Sequence, residues 1–159
     1  MTSTNKKYLL KDLIIKINSL KKKDNFIIGF TNGCFDLLHK GHLFIISEAK
    51  KKCDYLIVAI NSDASIKLLK GNARPIDSES LRITKLSNVK DVDALIVFKE
   101  ETPFNIINEL LPNILFKGAD YKNQIVIGSK CVIKNGGKVM FIDILEDFST
   151  TNIIRNSNT

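Results

Sequence analysis

Two histidines, His39 and His42, lie three residues apart and are the only histidines in the chain. The apolar residues 26–30 before them have the character of a buried strand, and residues 43–50 after them have the pattern of a helix. Positions i and i+3 of a helix share one face, so both imidazoles can point at the same ligand. A helix N-terminus adds free backbone N–H groups and a positive dipole end, and Gly41 allows close approach to the backbone. The pattern indicates a phosphate site at a strand–helix junction.

Imidazoles in this position can stabilise the charge that develops on a phosphoryl group during transfer and on its leaving group. They can donate as neutral tautomers or as cations, and the residue types leave both options open. A zinc site is the weaker interpretation because no carboxylate stands where a zinc-protease helix carries one, and we expect no metal held by protein ligands alone. Cys34, in the same segment, is expected to be a small apolar residue and not a nucleophile.

Composition excludes several classes of protein. The chain has 159 residues, 44% of them hydrophobic, which is enough for one domain with a core. It has no apolar run of membrane-spanning length and no signal-peptide pattern, and its three cysteines are scattered. We therefore expect a cytoplasmic protein that does not bind membranes.

The net charge of +7 is compatible with binding of nucleic acid or of anionic small substrates. No basic run is interleaved with aromatic residues, so we expect no nucleic-acid partner.

The periodicity of the chain predicts an α/β fold. Residues 7–23 form an amphipathic pattern, so we divide the chain into an N-terminal helical segment, 1–25, and a domain, 26–159. This helix is expected to pack on its own domain, with a membrane or partner role as the alternative. Strands are predicted at 26–31, 55–61, 94–98, 114–116 and 138–143, and helices at 41–52, 63–69, 78–88, 103–110, 123–135 and 150–156. Their alternation predicts a Rossmann-like open parallel sheet of about five strands with helices on both faces.

Five short motifs occur in order along the chain, at residues 31–39, 58–63, 70–75, 117–121 and 149–154. On these motifs, residues 26–155 resemble the HIGH-motif nucleotidyltransferase superfamily, in its cytidylyltransferase-like group. Within that group the chain is most similar to the D-glycero-β-D-manno-heptose 1-phosphate adenylyltransferases, which make ADP-heptose for lipopolysaccharide biosynthesis. The resemblance implies that ATP and a sugar 1-phosphate react to give an ADP-sugar and pyrophosphate, with Mg²⁺ accompanying the ATP.

The resemblance also assigns roles to residues. Those implied for catalysis are His39 and His42; those implied for nucleotide binding are Cys34, Phe35, Gly41, Lys117, Asp120, Ser149, Thr150, Thr151 and Arg155; those implied for the phosphate of the second substrate are Lys70, Arg74 and Arg82. Plainer interpretations stay open. The segment 149–155 can be an ordinary capped helix, Gly118 a turn residue, and Ser62 or Asp63 a helix cap. Arg74 or Arg82 can form a structural ion pair instead of binding a phosphate.

Other substrates and functions also fit the motifs. The alternatives are a glycerol- or ethanolamine-phosphate cytidylyltransferase, an FMN adenylyltransferase, and a nucleotide-binding regulator without turnover. The resemblance further implies a homodimer. Enzymes of heptose activation often carry a sugar-kinase domain in front of this one, and only a short helical segment precedes it here. We therefore expect a separate sugar kinase to supply the sugar 1-phosphate.

Overall fold

The computed structural model of the chain describes residues 6–143. Its sheet has five strands: β1 (Ile28–Gly33), β2 (Tyr55–Asn61), β3 (Ala94–Phe98), β4 (Ile114–Gly118) and β5 (Lys138–Ile142). All neighbouring strands are parallel, and their order is β3-β2-β1-β4-β5. The predicted open parallel sheet is therefore confirmed.

Helices cover both faces of the sheet. They are α1 (Leu10–Leu20), α2 (Lys40–Lys50), α3 (Asp63–Lys70), α4 (Glu79–Ser87), α5 (Phe104–Leu110) and α6 (Ser129–Lys134), with a short 3₁₀ helix at Ala119–Tyr121. Successive β2 side chains alternate between two apolar layers, with Ile57 and Ala59 facing α1, α5 and α6, and Val58 and Ile60 facing α2 and α4. A strand buried on both faces in this way is typical of a parallel sheet with helical crossovers.

The N-terminal helix belongs to the main core. Leu13 and Ile17 on α1 are no more than 1% exposed and pack in the same apolar layer as α5. The chain just before α1 also pairs with the outer edge of β3, since Tyr8 N–H donates to the Leu95 carbonyl and Leu95 N–H donates to the Lys6 carbonyl, both at 2.8 Å. The helix therefore packs on its own domain, as predicted. Among residues 6–143, no helix has the length and apolar character needed to cross a bilayer.

The largest error in the predicted elements is the helix at 123–135, because only Ser129–Lys134 is helical. Val126 is inserted into the core instead, and Gly128 adopts a φ of +85° while lying against Ile107. A Cβ at Gly128 would stand 2.7 Å from Ile107, so close packing against α5 requires glycine and a break in the helix here.

Several boundaries also differ from the predictions. β1 begins two residues later than predicted, and β4 continues to Gly118. Pro103 occupies the N-cap position of α5 with a ψ of 17°, so the helix begins at Phe104 and not at the proline. The helix predicted at 150–156 lies outside the described residues.

The strand order creates a switch point between β1 and β4. From β1 the chain continues outward to β2 and β3, whereas β4 and β5 lie on the other side of β1. Crossovers leave β1 and β4 in opposite directions there, which opens a crevice at the carboxyl ends of these strands. The residues following β1 and β4 are therefore brought together at one edge of the sheet.

The packing of α1 can be tested on one helix with one residue type. Ile17→Ala removes a side chain that is 1% exposed, and it should lower the free energy of unfolding by about 2–5 kcal/mol. The matched control Ile15→Ala changes a side chain that is 70% exposed and should cost within about 0.5 kcal/mol. Urea unfolding followed by circular dichroism measures both, and equal effects would contradict the packing described for α1.

Candidate active site

The crevice at the switch point contains a cavity of about 200 Å³. Its walls come from the ends of β1 and β4, the loop after β1, and helices α2 and α3. The lining residues are Thr31, Asn32, Gly33, Cys34, Phe35, Asp36, His42, Ile45, Lys70, Lys117, Gly118, Asp120 and Tyr121. Residues from three of the five sequence motifs, 31–39, 70–75 and 117–121, line this cavity.

The two histidines form a stacked pair at the N-terminus of α2. Their ring centroids are 3.7 Å apart with an interplanar angle of 25°. His39 is the N-cap residue, and its Nδ1 accepts a hydrogen bond of 3.1 Å from the Gly41 N–H. The Nδ1 of His42 accepts a hydrogen bond of 3.3 Å from the His39 N–H. His42 lines the cavity, and His39 stacks against the ring of His42.

These bonds indicate the tautomer of each ring, and burial bears on its charge. Because each Nδ1 is an acceptor, the proton of each neutral ring lies on Nε2. Burial lowers the pKa of His42 to about 3; a protonated His39 would lower it in the same way, and so does the Lys70 ammonium. Burial also lowers the pKa of His39. Near neutral pH both rings are therefore neutral donors, and the Nε2 of His39 is buried with no partner among the described residues.

The loop between β1 and α2 has a strained backbone. Phe35 and Leu37 adopt left-handed φ values of 49° and 53°, which non-glycine residues rarely do. Asp36 between them is 1% exposed and accepts hydrogen bonds of 2.8 Å from the backbone N–H groups of Ile76 and Asp77. Burial alone would raise the pKa of Asp36, but these bonds and the Arg74 guanidinium hold that pKa below its usual value. The anchored carboxylate keeps the loop in a conformation that costs on the order of 1–3 kcal/mol per strained residue.

The predicted role of Arg82 in binding a substrate phosphate has to be corrected, because its guanidinium is entirely enclosed by protein. Its side chain is 0% exposed, and its Nη1 donates to the carbonyls of Cys34, at 2.9 Å, and Asn61, at 2.7 Å. Its Nη2 donates to the Asp63 carboxylate at 2.8 Å, and its Nε donates to the Asp77 carbonyl at 3.2 Å. Arg82 was predicted to bind a substrate phosphate, but it forms the structural ion pair that was the alternative. The burial of a side chain depends on tertiary packing, which its residue type does not reveal.

The positions of Arg74 and Lys70 agree better with their predicted role in binding a substrate phosphate. The Nε of Arg74 donates to Asp36 at 2.8 Å, while its Nη2 is buried and has no partner among the described residues. Lys70, in the last turn of α3, is exposed and lines the cavity. Lys70 therefore brings an ammonium group to the cavity that His42 lines, and Arg74 carries an unpaired guanidinium N–H next to Asp36 in its wall.

The opposite wall of the cavity comes from the end of β4. Lys117 Nζ lies 4.9 Å from the centre of the Tyr121 ring, and both residues line the cavity with Asp120. Burial lowers the pKa of Lys117, and the Asp120 carboxylate partly opposes that shift. The motif at 117–121 thus contributes a desolvated amine, a carboxylate and an aromatic ring to one wall.

The remaining residues with a predicted role add less to the chemistry of the cavity. Gly41 is buried in the first turn of α2, and Cys34 lines the cavity while burial raises the pKa of its thiol. Ser62 caps α3 by accepting a bond of 3.1 Å from the Ser65 N–H, which was its alternative interpretation. The predicted nucleotide-binding residues Ser149, Thr150, Thr151 and Arg155 lie outside the described residues.

Sequence reasoning missed three residues that shape this site, namely Asn32, Asp36 and Tyr121. All three lie inside motifs that were recognised, but none was given a role. The available signal was the position of Asn32 at the carboxyl end of a predicted strand, where polar residues face ligands in open α/β sheets. Within residues 6–143, no three His, Cys, Asp or Glu side chains are grouped so as to hold a metal ion.

A family model described as cytidylyltransferase-like matches residues 30–156. The chain belongs to the cytidylyltransferase-like family. The resemblance drawn from the five motifs is confirmed, and the cavity lies where the histidine motif and the 117–121 motif converge.

Relatives with curated names include two proteins called bifunctional protein HldE. The protein from Rhodospirillum rubrum is 50% identical over 127 residues, which cover 80% of this chain and 26% of that relative. The protein from Nitrobacter winogradskyi is 48% identical over 130 residues, which cover 82% of this chain and 27% of that relative. The chain thus spans about a quarter of the length of the curated relatives that it matches.

Two solved structures have folds similar to that of this chain. A lipopolysaccharide core biosynthesis protein from Thermoplasma volcanium has a TM-score of 0.60 and 29% identity, covering 76% of this chain and 98% of that one. A pantoate–β-alanine ligase from Francisella tularensis has a TM-score of 0.62 and 19% identity, covering 94% of this chain and 75% of that one. The ligase supports the Rossmann-like fold alone.

The structural role of Arg82 predicts a large stability effect. Arg82→Met should lower the free energy of unfolding by about 3–5 kcal/mol, because it leaves buried carbonyls and a carboxylate without their donor. The control Lys51→Met removes a lysine whose side chain is 64% exposed and pairs with Glu48, and should cost less than about 1 kcal/mol. Chemical denaturation measures both variants, and an Arg82→Met protein as stable as the wild type would contradict the assignment.

Proposed function

We propose that this chain is an adenylyltransferase that joins ATP and a sugar 1-phosphate, D-glycero-β-D-manno-heptose 1-phosphate, to give ADP-heptose and pyrophosphate. The observation that carries the proposal is the stacked histidine pair at the N-terminus of α2, with a buried Nε2 of His39 that has no partner among residues 6–143. A buried donor without a partner costs about 1–3 kcal/mol, which a bound phosphate oxygen would recover.

The proposed reaction is a direct, in-line displacement. A phosphate oxygen of the sugar 1-phosphate attacks the α-phosphorus of ATP, a new P–O bond forms, and the bond to the β-phosphate oxygen breaks to release pyrophosphate. The attacking oxygen is already anionic, so the reaction needs no general base, and catalysis consists of alignment and charge stabilisation. Neutral histidines suit this role because they donate hydrogen bonds from Nε2 without accepting a proton.

The remaining groups divide between the two substrates. Lys70 lines the cavity with His42, and Arg74 is bonded to Asp36, another lining residue, so Lys70 and the unpaired Nη2 of Arg74 suit the phosphate of the sugar. Lys117 and Asp120 on the opposite wall suit the nucleotide, and the backbone near Cys34 and Phe35 would face its phosphates. The helix dipole of α2 adds positive potential between the two groups.

Mg²⁺ is proposed to arrive with ATP. The described residues gather no cluster of carboxylates or histidines around the cavity, and Asp120 is the exposed carboxylate in its wall. This set fits an ion held mainly by phosphate oxygens and water, with Asp120 within the same cavity. When bound, the ion would neutralise part of the triphosphate charge.

The choice of heptose and ATP rests on the motifs at residues 31–39 and 117–121, which resemble those of the heptose branch. The similarity to a protein of lipopolysaccharide core biosynthesis supports it at 29% identity. The homodimer and the separate sugar kinase stay predictions.

A screen of pyrophosphate release tests the proposal. ATP and CTP are each offered with the heptose 1-phosphate, glycerol 3-phosphate, ethanolamine phosphate and FMN. We expect release with ATP and the heptose 1-phosphate and little with the other pairs. Preference for CTP with glycerol 3-phosphate would contradict the substrates, and no release with any pair would contradict the enzymatic function.

The histidine variants test the mechanism in the same assay. His39→Ala and His42→Ala should each lower kcat by about 100-fold or more, as loss of a key oxyanion donor does. The control Leu43→Ala changes a neighbouring side chain that is 40% exposed and lies outside the cavity wall, and it should keep near-normal turnover. Wild-type turnover in either histidine variant would refute the proposed role of that residue.

A further inference from the structure

Three buried side-chain atoms have no hydrogen-bond partner among residues 6–143: His39 Nε2, Arg74 Nη2 and Asn32 Oδ1. The first two are donors, and both suit phosphate oxygens. The third is an acceptor. An ionised phosphate has only acceptors to offer, so the phosphates of the proposed substrates cannot satisfy the Oδ1 of Asn32.

Asn32 lies at a defined place in the cavity. It is the second-last residue of β1, where it pairs with Ala59 of β2, and it lines the cavity next to the loop that carries the histidines. It is only partly buried as a residue, yet its Oδ1 is sealed from solvent. An amide oxygen held in this way costs about 1–3 kcal/mol until a donor reaches it.

The proposed reactants offer few donors that can reach this position. In ATP these are the ribose hydroxyls and the amino group of adenine, and in a sugar 1-phosphate they are the ring hydroxyls. The adenine amino group is separated from the α-phosphate by the whole ribose, whereas sugar hydroxyls lie close to the phosphates in both molecules. Asn32 shares its cavity with His42 and Lys70, the groups assigned to phosphate, so a hydroxyl is the donor that fits.

We propose that Asn32 is a specificity-determining residue that accepts a hydrogen bond, through its Oδ1, from a hydroxyl of a bound sugar. The sugar is either the ribose of the nucleotide or the sugar of the phosphorylated acceptor. This inference rests on the proposed function and adds to it a residue that discriminates hydroxylated from deoxygenated substrates. A site built to bind a hydroxyl rejects the analogue that lacks it, because the buried acceptor is then left unpaired.

The test compares kcat/KM for native and deoxy substrates in the pyrophosphate assay. The two arms are ATP against 2′-deoxy-ATP and 3′-deoxy-ATP, and the sugar 1-phosphate against analogues that each lack one of its hydroxyls. With the wild-type chain, one analogue should lose about 10- to 100-fold relative to the native substrate, and the arm in which this occurs identifies the sugar. No loss with any analogue would overturn the proposal, and this result needs no variant.

Asn32→Ala then assigns the discrimination to the residue. The variant should lose the same factor with the native substrate, while its native-to-deoxy ratio should fall to near one. Asn32→Asp keeps an acceptor oxygen and should retain the native-to-deoxy ratio. It replaces the alanine variant in the test if that variant does not fold. The control Ile45→Ala alters a lining residue with no assigned role and should also retain the ratio. An unchanged ratio in Asn32→Ala would overturn the assignment.

Failure of the proposed function remains distinguishable from failure of this inference. Calorimetry gives the Kd of ATP and of both deoxy nucleotides independently of turnover. Turnover without hydroxyl discrimination contradicts only the role of Asn32. Discrimination in Kd without turnover supports Asn32 and contradicts the proposed reaction.

Discussion

The proposed active site at the edge of the sheet depends on one buried cation. A fully enclosed guanidinium is tolerated only where its charge and its donors are matched, since an unpaired charge in the interior is very costly. Arg82 meets this requirement by binding the carbonyls that follow β1 and end β2, together with a carboxylate at the start of α3. Its hydrogen bonds join segments that are distant in sequence, and thereby fix the ends of two strands relative to each other.

The strained loop after β1 follows from this arrangement. Two left-handed residues flank Asp36, whose carboxylate is bonded to the chain at residues 74, 76 and 77. Arg82 binds the same loop from the other side through the Cys34 carbonyl. Strain of this kind persists where the surroundings over-determine the backbone, and it is concentrated here at the entrance to α2. The histidine pair is therefore held by an anchored loop, which would favour alignment of the two anionic substrates of the proposed reaction.

Much of the fold could be predicted because local patterns and tertiary structure agree. The bounds of β2 and β3 match the predictions, and the histidines lie at the strand–helix junction that their spacing indicated. The error at residues 123–128 arose because an apolar run suited a helix, whereas Gly128 must approach Ile107 closely. Arg82 and Asn32 show the corresponding limit for the site. Contacts between distant segments decide whether an arginine binds a ligand or pairs with other protein groups. They also decide whether an amide oxygen lacks a partner.

The central claim is that neutral histidines donate hydrogen bonds from Nε2 to nucleotide phosphates. Long-range ¹H–¹⁵N spectra of the ¹⁵N-labelled chain test it most directly, since the sequence contains only two histidines. We predict that both rings are Nε2–H tautomers at neutral pH, and that His42 does not titrate down to about pH 5, because burial lowers its pKa to about 3. Adding an ATP analogue with a non-hydrolysable α,β bridge should shift the Nε2–H signals while both rings stay neutral. Titration of His42 near its ordinary pKa of about 6.5, or nucleotide binding that leaves both imidazoles unperturbed, would contradict the account.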